Sequence, residues 1–231
     1  CLGCFNCAVS GTCIYKDGFD AYLRNEIQTA EAIVYANIHL RTAERILLKA
    51  GSFHAETFEE LFQGTLAAPW EEFIGRKDAF PVKGRTVRSQ LYSMSDCQSI
   101  IKKAVVRRLE GKYGISIFPE TGAKHQIQFS ILKDKVCIML DTSGAGLHKR
   151  GYRKNSNEAP IKETLAAGMI DFARVKSDTV FYDPFCGSGT LLIEAALKAA
   201  NIPSGIGRKF ACQHWGCIPE SVFREERARG L

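Results

Sequence analysis

Residues 183–189, Asp-Pro-Phe-Cys-Gly-Ser-Gly, constrain the fold of this chain more than any other feature. An apolar stretch precedes them at residues 179–182, and a stretch rich in Leu and Ala follows at residues 190–200. A strand, a glycine-rich turn and a helix in this order are typical of α/β folds that hold an adenosine-type cofactor. Glycines let the backbone approach a ligand closely, and the start of the helix offers N–H groups without intrahelical partners.

The spacing of the glycines narrows the choice of cofactor. A dinucleotide site requires G-x-G-x-x-G, but Leu192 occupies the third glycine position, and no P-loop lysine follows Gly189. An acidic residue before Gly-x-Gly instead favours S-adenosylmethionine, with the loop around its methionine end. The residues predicted to bind it are Asp183, Pro184, Phe185, Cys186, Gly187, Ser188, Gly189 and Thr190. We interpret Cys186 as a small residue beside the cofactor and not as a nucleophile.

Several motifs together resemble the THUMP-domain class I RNA methyltransferases, the bacterial group that methylates guanine N2 in large-subunit (23S) ribosomal RNA. Residues 183–194 resemble the cofactor loop of that family. Residues 141–153 (DTSGAGLHKRGYR) resemble its interdomain link, and residues 158–167 resemble the first helix of its methyltransferase domain. Residues 40–43 (LRTA) and 80–84 (FPVKG) resemble its THUMP region.

The resemblance, which extends over residues 32–227, implies an α/β fold, an activity and a compartment. The expected domains are an N-terminal ferredoxin-like remnant (1–31), a THUMP α/β RNA-binding domain (32–143), a basic linker (144–159) and the first part of a Rossmann-like class I methyltransferase domain (160–231). The parent protein is expected to use S-adenosylmethionine to methylate RNA, with 23S ribosomal RNA as its partner, in the cytoplasm. The remaining alternatives are a non-catalytic RNA-binding module and a tRNA methyltransferase.

Positive charge is concentrated in residues 83–112. Eight Lys and Arg against two acidic residues give this segment a net charge of +6, equal to that of the whole chain. Such a segment indicates either a polyanion-binding surface or a solvated helix face. Part of it is predicted to lie on a helix that begins with Ser95 as N-cap, with Gln98 completing a capping box. Alternation at residues 126–131 and 135–140 predicts a hairpin after that helix.

The residues predicted to bind RNA, mainly through phosphate and sugar, come from two places. They are Lys83, Arg85, Arg88, Lys102, Lys103 and Arg107 in the basic segment, with His148, Lys149, Arg150 and Arg153 in the linker. An exposed polar linker without RNA contacts remains the alternative for the second group.

The cysteines and the apolar runs indicate an intracellular protein. Five of the nine cysteines are isolated, which is typical of reduced thiols, and no apolar run approaches the roughly 18 residues that span a bilayer. No secretory signal is visible, and no membrane partner is predicted. Cys1, Cys4, Cys7 and Cys13 form C-x2-C-x2-C-x5-C. This pattern leaves a zinc or iron–sulfur site open beside the interpretation favoured here, a divergent terminus with free thiols.

Two parts of a complete enzyme of this kind are absent. None of the seven prolines is adjacent to another, so the Asn/Asp-Pro-Pro-Tyr/Phe tetrapeptide that orients the acceptor amine is missing. The acidic residue that follows the second strand and binds the cofactor ribose is missing too. We therefore expect a chain truncated at both ends, with no catalytic residue of its own. Alone, it should transfer no methyl group and bind S-adenosylmethionine poorly.

Overall fold

The computed structural model describes residues 29–152 and 161–230, which divide into two compact units. Residues 47–144 and 211–218 form the first, here called the sheet unit. The other described residues form the second, here called the helical unit. The described α-helices are α1 (Thr29–His39), α2 (Phe58–Leu66), α3 (Met94–Tyr113), α4 (Glu163–Phe172), α5 (Thr190–Ala199) and α6 (Glu220–Arg229), and two short 3-10 helices lie at Trp70–Glu72 and Ala211–His214. The described strands are β1 (Leu47–His54), β2 (Val82–Val87), β3 (Ile127–Leu132) and β4 (Lys135–Asp141).

The sheet unit is built around a four-stranded mixed sheet in the order β1-β4-β3-β2. The predicted hairpin is confirmed, since β3 and β4 pair antiparallel and Leu132 lies opposite Lys135. Lys133 and Asp134 make the turn with φ of 50° and 62°, the left-handed conformation of a two-residue hairpin. β4 also pairs antiparallel with β1, whereas β2 pairs parallel with β3 and forms one edge.

One face of this sheet forms the core. Phe129 and Ile138 lie side by side on it and are almost completely buried. Gly84 lies next to Phe129, and a Cβ at residue 84 would come within 2.3 Å of that ring. Helix α2 packs on the same face, where a Cβ at Gly64 would come within 2.4 Å of the Phe53 ring. Both glycines are therefore required by close packing.

Helix α3 begins before the residue that the capping box predicted. Ser93 is the N-cap, and its side chain accepts a hydrogen bond from the Asp96 N–H at 3.4 Å. Ser95 lies within the first turn instead, so the predicted N-cap was wrong by two residues. The cause is that Ser93 has the extended backbone of a cap and its carbonyl accepts from the Cys97 N–H. The helix ends at Gly114 with φ of 65°.

A bidentate ion pair ties α3 to the turn at residues 70–72. The guanidinium of Arg108 donates from Nε and Nη2 to the Glu71 carboxylate at 2.9 and 2.6 Å. Chiefly because of these bonds, the pKa of Glu71 falls from 4.5 to about 2. A carboxyl whose pKa is lowered by folding stabilises the native state above its unfolded pKa, and that stability is lost as the pH falls.

We therefore expect Glu71→Gln to lower the free energy of unfolding near neutral pH, with a difference from the wild type that shrinks as the pH falls from about 5 and disappears only below pH 2. Urea titrations followed by tryptophan fluorescence at several pH values will measure the difference. Glu72→Gln, an exposed change in the same turn, is the control and should have little effect at any pH. An effect of Glu71→Gln that does not change with pH would contradict this account.

The helical unit packs α1 against α6 and α4 against α5. A small buried cluster is formed by Ile170 of α4, Ala195 of α5, and Val175 in the segment between these helices. The predicted strand at residues 179–182 is absent, and Val180 and Tyr182 are 95% and 83% exposed. A strand needs a neighbour to satisfy its N–H and carbonyl groups, and residues 161–230 contain no described strand that could serve.

The described residues contain no helix that is both long enough and apolar enough to cross a bilayer. Cys1, Cys4, Cys7, Cys13 and Arg153, which the sequence singled out, lie outside the described residues.

Candidate functional site

The glycine-rich loop leads directly into α5. Asp183 Oδ1 accepts a hydrogen bond from the Phe185 N–H at 3.0 Å, and Gly189 donates to the Cys186 carbonyl at 2.8 Å. Gly187 and Gly189 have φ of 53° and 72°. Residues with a side chain rarely adopt this backbone, so glycine is needed at both positions for the turn itself.

The mouth of this loop is open. A Cβ at Gly187 or Gly189 would have its nearest neighbour 4.0 or 3.9 Å away, so the residues that the structure describes do not fill the space in front of the loop. Gly189 caps α5 without a side-chain bond, and the N–H groups of the first turn have no intrahelical acceptors. Such N–H groups bind anions such as a carboxylate, and the carboxylate of Asp183 suits an ammonium group. The donor set therefore fits the amino-acid end of S-adenosylmethionine.

A buried ion pair lies behind the loop. Arg150 Nε donates to Glu194 Oε1 at 3.4 Å, and the two side chains are 2% and 0% exposed. Tyr152 donates its hydroxyl to the same oxygen at 3.0 Å. Burial and the Glu194 carboxylate raise the pKa of Tyr152, so its hydroxyl keeps the proton that it donates. The linker is thereby fixed to the helix that carries the glycine-rich loop.

Three arginines hold backbone carbonyl groups in the helical unit. Arg150 donates from Nη1 to the Leu147 carbonyl at 2.8 Å and from Nη2 to the Arg41 carbonyl. Arg208 donates to the carbonyl groups of Gly146 and Ala145 at 2.9 and 2.7 Å. Arg41 donates to those of Leu197 and Ile202 at 3.2 and 2.8 Å. The first part of the linker is therefore ordered by hydrogen bonds to residues distant in sequence.

His148 has a carboxylate partner that the sequence did not reveal. Its Nδ1 lies 2.6 Å from Glu44 Oε1, and the Thr164 hydroxyl donates to Glu44 Oε2 at 3.4 Å. Glu44 is 104 residues away in the chain, so only the folded structure brings the two together. Because this pair anchors the imidazole, His148 is less free to contact RNA than the exposed Lys149.

The other residues predicted to bind RNA fall into three groups. Lys83, Arg85 and Arg88 are exposed on or just after the edge strand β2, and Lys103 is exposed on α3. Lys102 and Arg107 on α3 form ion pairs with Glu120 and Glu110. The Arg150 side chain is buried in the ion pair with Glu194, so its guanidinium is not exposed for contact with RNA.

Comparison with known proteins identifies two domains. Residues 55–141 match the THUMP domain, and residues 150–229 match the RMKL-like methyltransferase domain. Over 200 residues the chain is 48% identical to a Bacillus subtilis (strain 168) protein named "Putative RNA methyltransferase YpsC". That alignment covers 86% of this chain and 52% of the relative.

Two solved structures are similar along most of this chain. One is titled a predicted N6-adenine-specific DNA methylase from Listeria monocytogenes, with a TM-score of 0.84 and 47% identity over 87% of this chain and 53% of that one. The other, SMU.472, is titled a putative methyltransferase complexed with SAH. It has a TM-score of 0.82 and 42% identity, again over 87% and 53%. The chain thus spans about half the length of these relatives, and the predicted α/β fold class is confirmed.

Proposed function

Because this chain belongs to the family of THUMP-containing RNA methyltransferases, we propose that its protein transfers a methyl group from S-adenosylmethionine to RNA. The observation that carries the proposal is the open glycine-rich loop at the start of α5 in the same chain as a THUMP domain. A methyl-donor loop and an RNA-binding domain within one polypeptide favour an RNA-modifying enzyme over either function alone.

We propose 23S ribosomal RNA as the substrate and guanine N2 as the acceptor. The support is the resemblance of residues 183–194 and 141–153 to enzymes of that specificity. A tRNA substrate is the alternative, since THUMP domains also occur in tRNA-modifying enzymes. For the 231-residue chain by itself, RNA binding without methyl transfer remains the expectation, because it lacks the tetrapeptide that orients the acceptor amine.

The roles proposed for residues in this chain are binding and positioning. S-adenosylmethionine, when bound, supplies an electrophilic methyl group. The N–H groups at the start of α5 would hold its carboxylate, and Asp183 would accept from its ammonium group. The Arg150–Glu194 pair holds the linker against α5, so it would keep the loop in place while RNA binds. Lys149 would attract the phosphates of RNA toward the loop.

Deleting the gene is expected to remove an N2-methylguanosine from 23S ribosomal RNA. Nucleoside mass spectrometry of purified 23S RNA and tRNA will detect the change. The wild-type gene should restore the modification, whereas Gly189→Val should not. Valine at φ of 72° costs roughly 1–3 kcal/mol of backbone strain and obstructs the open side of the loop.

Gly207→Ala is the matched control, because a Cβ there meets nothing within 4 Å, and it should restore the modification fully. Loss of a methylated guanosine from tRNA alone would establish the tRNA alternative. Unchanged modification in every RNA would support the non-catalytic alternative and refute the proposed activity.

A further inference from the structure

Exposed aromatic rings are rare in the sheet unit. Among its described Phe, Tyr and Trp residues, only Phe58 and Tyr92 are exposed, at 40% and 83%. Phe58 begins α2, next to the carboxylates of Glu59 and Glu60, which repel a polyanion. Tyr92 has no acidic residue within three positions on either side in the sequence. Because its ring stays almost entirely in water, Tyr92 is the aromatic residue of this unit best placed to stack on a ligand.

The loop between β2 and α3 carries Tyr92 and is held in place on both sides of the ring. The Ser89 hydroxyl and the Gln90 N–H donate to Asp134 Oδ1 at 2.7 and 2.8 Å, which ties the loop to the turn between β3 and β4. Leu91 is 3% exposed, and α3 begins two residues after Tyr92. The ring is therefore carried by an ordered backbone, which lowers the entropic cost of binding a ligand.

Two exposed cations adjoin this loop. Arg88 is its first residue, and Lys133 begins the turn between β3 and β4. The Lys133 N–H donates to the Val87 carbonyl at 3.2 Å, so the backbones of the two cations are neighbours. Neither side chain forms an ion pair with a residue that the structure describes. Asp134 is the acidic residue of the turn, and two cations against one carboxylate leave the loop and the turn with a net charge of +1.

Backbone strain is concentrated at the same place. Among the described residues, six other than glycine have a positive φ, and three of them are Arg88, Lys133 and Asp134, with φ of 51°, 50° and 62°. Residues with a long side chain rarely adopt this backbone, and a two-residue hairpin turn ordinarily uses Asn or Gly for it. Strain of this kind collects at ligand sites. The two cations thus occupy positions where folding alone favours a smaller residue, which indicates that their side chains have a function.

The combination of one ring with two cations selects a form of RNA. The bases of a duplex are stacked on one another, so their faces are closed to a protein ring. Unpaired bases have open faces that stack on aromatic side chains, while Lys and Arg hold the neighbouring phosphates. Tyr92, Arg88 and Lys133 supply both kinds of contact.

We propose that the loop between β2 and α3, together with the turn at residues 133–134, binds unpaired nucleotides of RNA. Tyr92 stacks on a base, and Arg88 and Lys133 contact the flanking phosphates. This inference rests on the proposed RNA-binding function and adds the surface and the form of RNA. Stacking does not depend on base identity, so the nucleotide sequence should matter little.

Fluorescence anisotropy with the 231-residue chain tests the stacking. The probes are a labelled single-stranded RNA of about 12 nucleotides without self-complementarity and a blunt RNA duplex of equal length. Tyr92→Ala removes the ring, and Tyr92→Phe keeps it. Phe58→Ala is the matched control, because it removes the other exposed ring of the sheet unit. Urea titration will verify that each variant is folded.

The single strand is expected to bind more tightly than the duplex. Tyr92→Ala should weaken single-strand binding about fivefold or more, whereas Tyr92→Phe and Phe58→Ala should each stay within about twofold of the wild type. Equal binding of the two RNAs, or equal effects of Tyr92→Ala and Phe58→Ala, would overturn the inference while leaving RNA binding intact. If the wild-type chain binds neither RNA, the RNA-binding part of the proposed function fails.

A second pair of variants tests the phosphate contacts. Arg88→Gln/Lys133→Gln should weaken single-strand binding and lower the slope of log affinity against log salt by about 1.4, the value for two phosphates of a single strand. Lys77→Gln/Lys124→Gln carries the same charge change before the starts of β2 and β3, at the opposite end of these strands, and both of its lysines are exposed. This control should change the slope little, and an equal change in both variants would contradict the assignment of the phosphates to Arg88 and Lys133.

Discussion

Arg150→Met is expected to destabilise the helical unit by about 3–5 kcal/mol, the cost of leaving one member of a buried ion pair without its partner. Glu194 would keep the Tyr152 hydroxyl as a donor but lose the cation. Its Oε2 is already buried without a hydrogen-bond partner in the described part of the chain. The carbonyl groups of Leu147 and Arg41 would also lose their donors.

Tryptophan fluorescence does not follow unfolding of the helical unit, because both tryptophans, Trp70 and Trp215, lie in the sheet unit. The measurement must therefore report on the helical unit directly. Hydrogen exchange of α5 peptides, read by mass spectrometry, gives the required local free energy. Lys149→Met is the control, since this neighbouring side chain is exposed, and its effect should stay within about 0.5 kcal/mol.

A second substitution separates the ion pair from simple loss of contacts. Replacing a buried pair with apolar side chains of similar volume is often neutral or stabilising. Arg150→Met/Glu194→Leu should therefore recover much of the loss caused by Arg150→Met alone. Equal exchange rates in the single and the double variant would contradict an electrostatic role for the pair.

The sequence predicted those elements that depend on local pattern. The hairpin of β3 and β4, the apolar side of α3 and the two left-handed glycines of the loop all follow from periodicity or from glycine spacing. The strand expected at residues 179–182 is absent, because a strand depends on pairing with a neighbouring strand and not on local pattern alone.

Contacts between distant residues could not be predicted from one sequence. Glu44 lies 104 residues from His148, and Glu194 lies 44 residues from Arg150. Basic residues in a linker look alike in sequence, yet Arg150 is buried while Lys149 beside it is exposed. Only the folded structure shows that Arg150 stabilises the fold, whereas Lys149 stays exposed to solvent.

Phe129→Ala is expected to lower the free energy of unfolding of the sheet unit by about 3–5 kcal/mol, the usual cost of removing a buried phenylalanine ring. The ring is 2% exposed and lies over Gly84 in the neighbouring strand. Gly84→Ala should cost about 1–3 kcal/mol for the reverse reason, since its Cβ would come within 2.3 Å of that ring.

The double variant is the sharper test, because the two changes act on the same space. A Cβ at residue 84 would enter the cavity left by the ring, although it would still lie 2.4 Å from the Phe129 carbonyl oxygen. Gly84→Ala/Phe129→Ala should therefore cost less than the sum of the single effects, with a coupling of roughly 0.5–3 kcal/mol. Urea titrations read by Trp70 and Trp215 report on the correct unit. Strictly additive effects of the two substitutions would contradict this account. They would show that the Phe129 carbonyl oxygen, and not the ring, is what excludes a Cβ at residue 84.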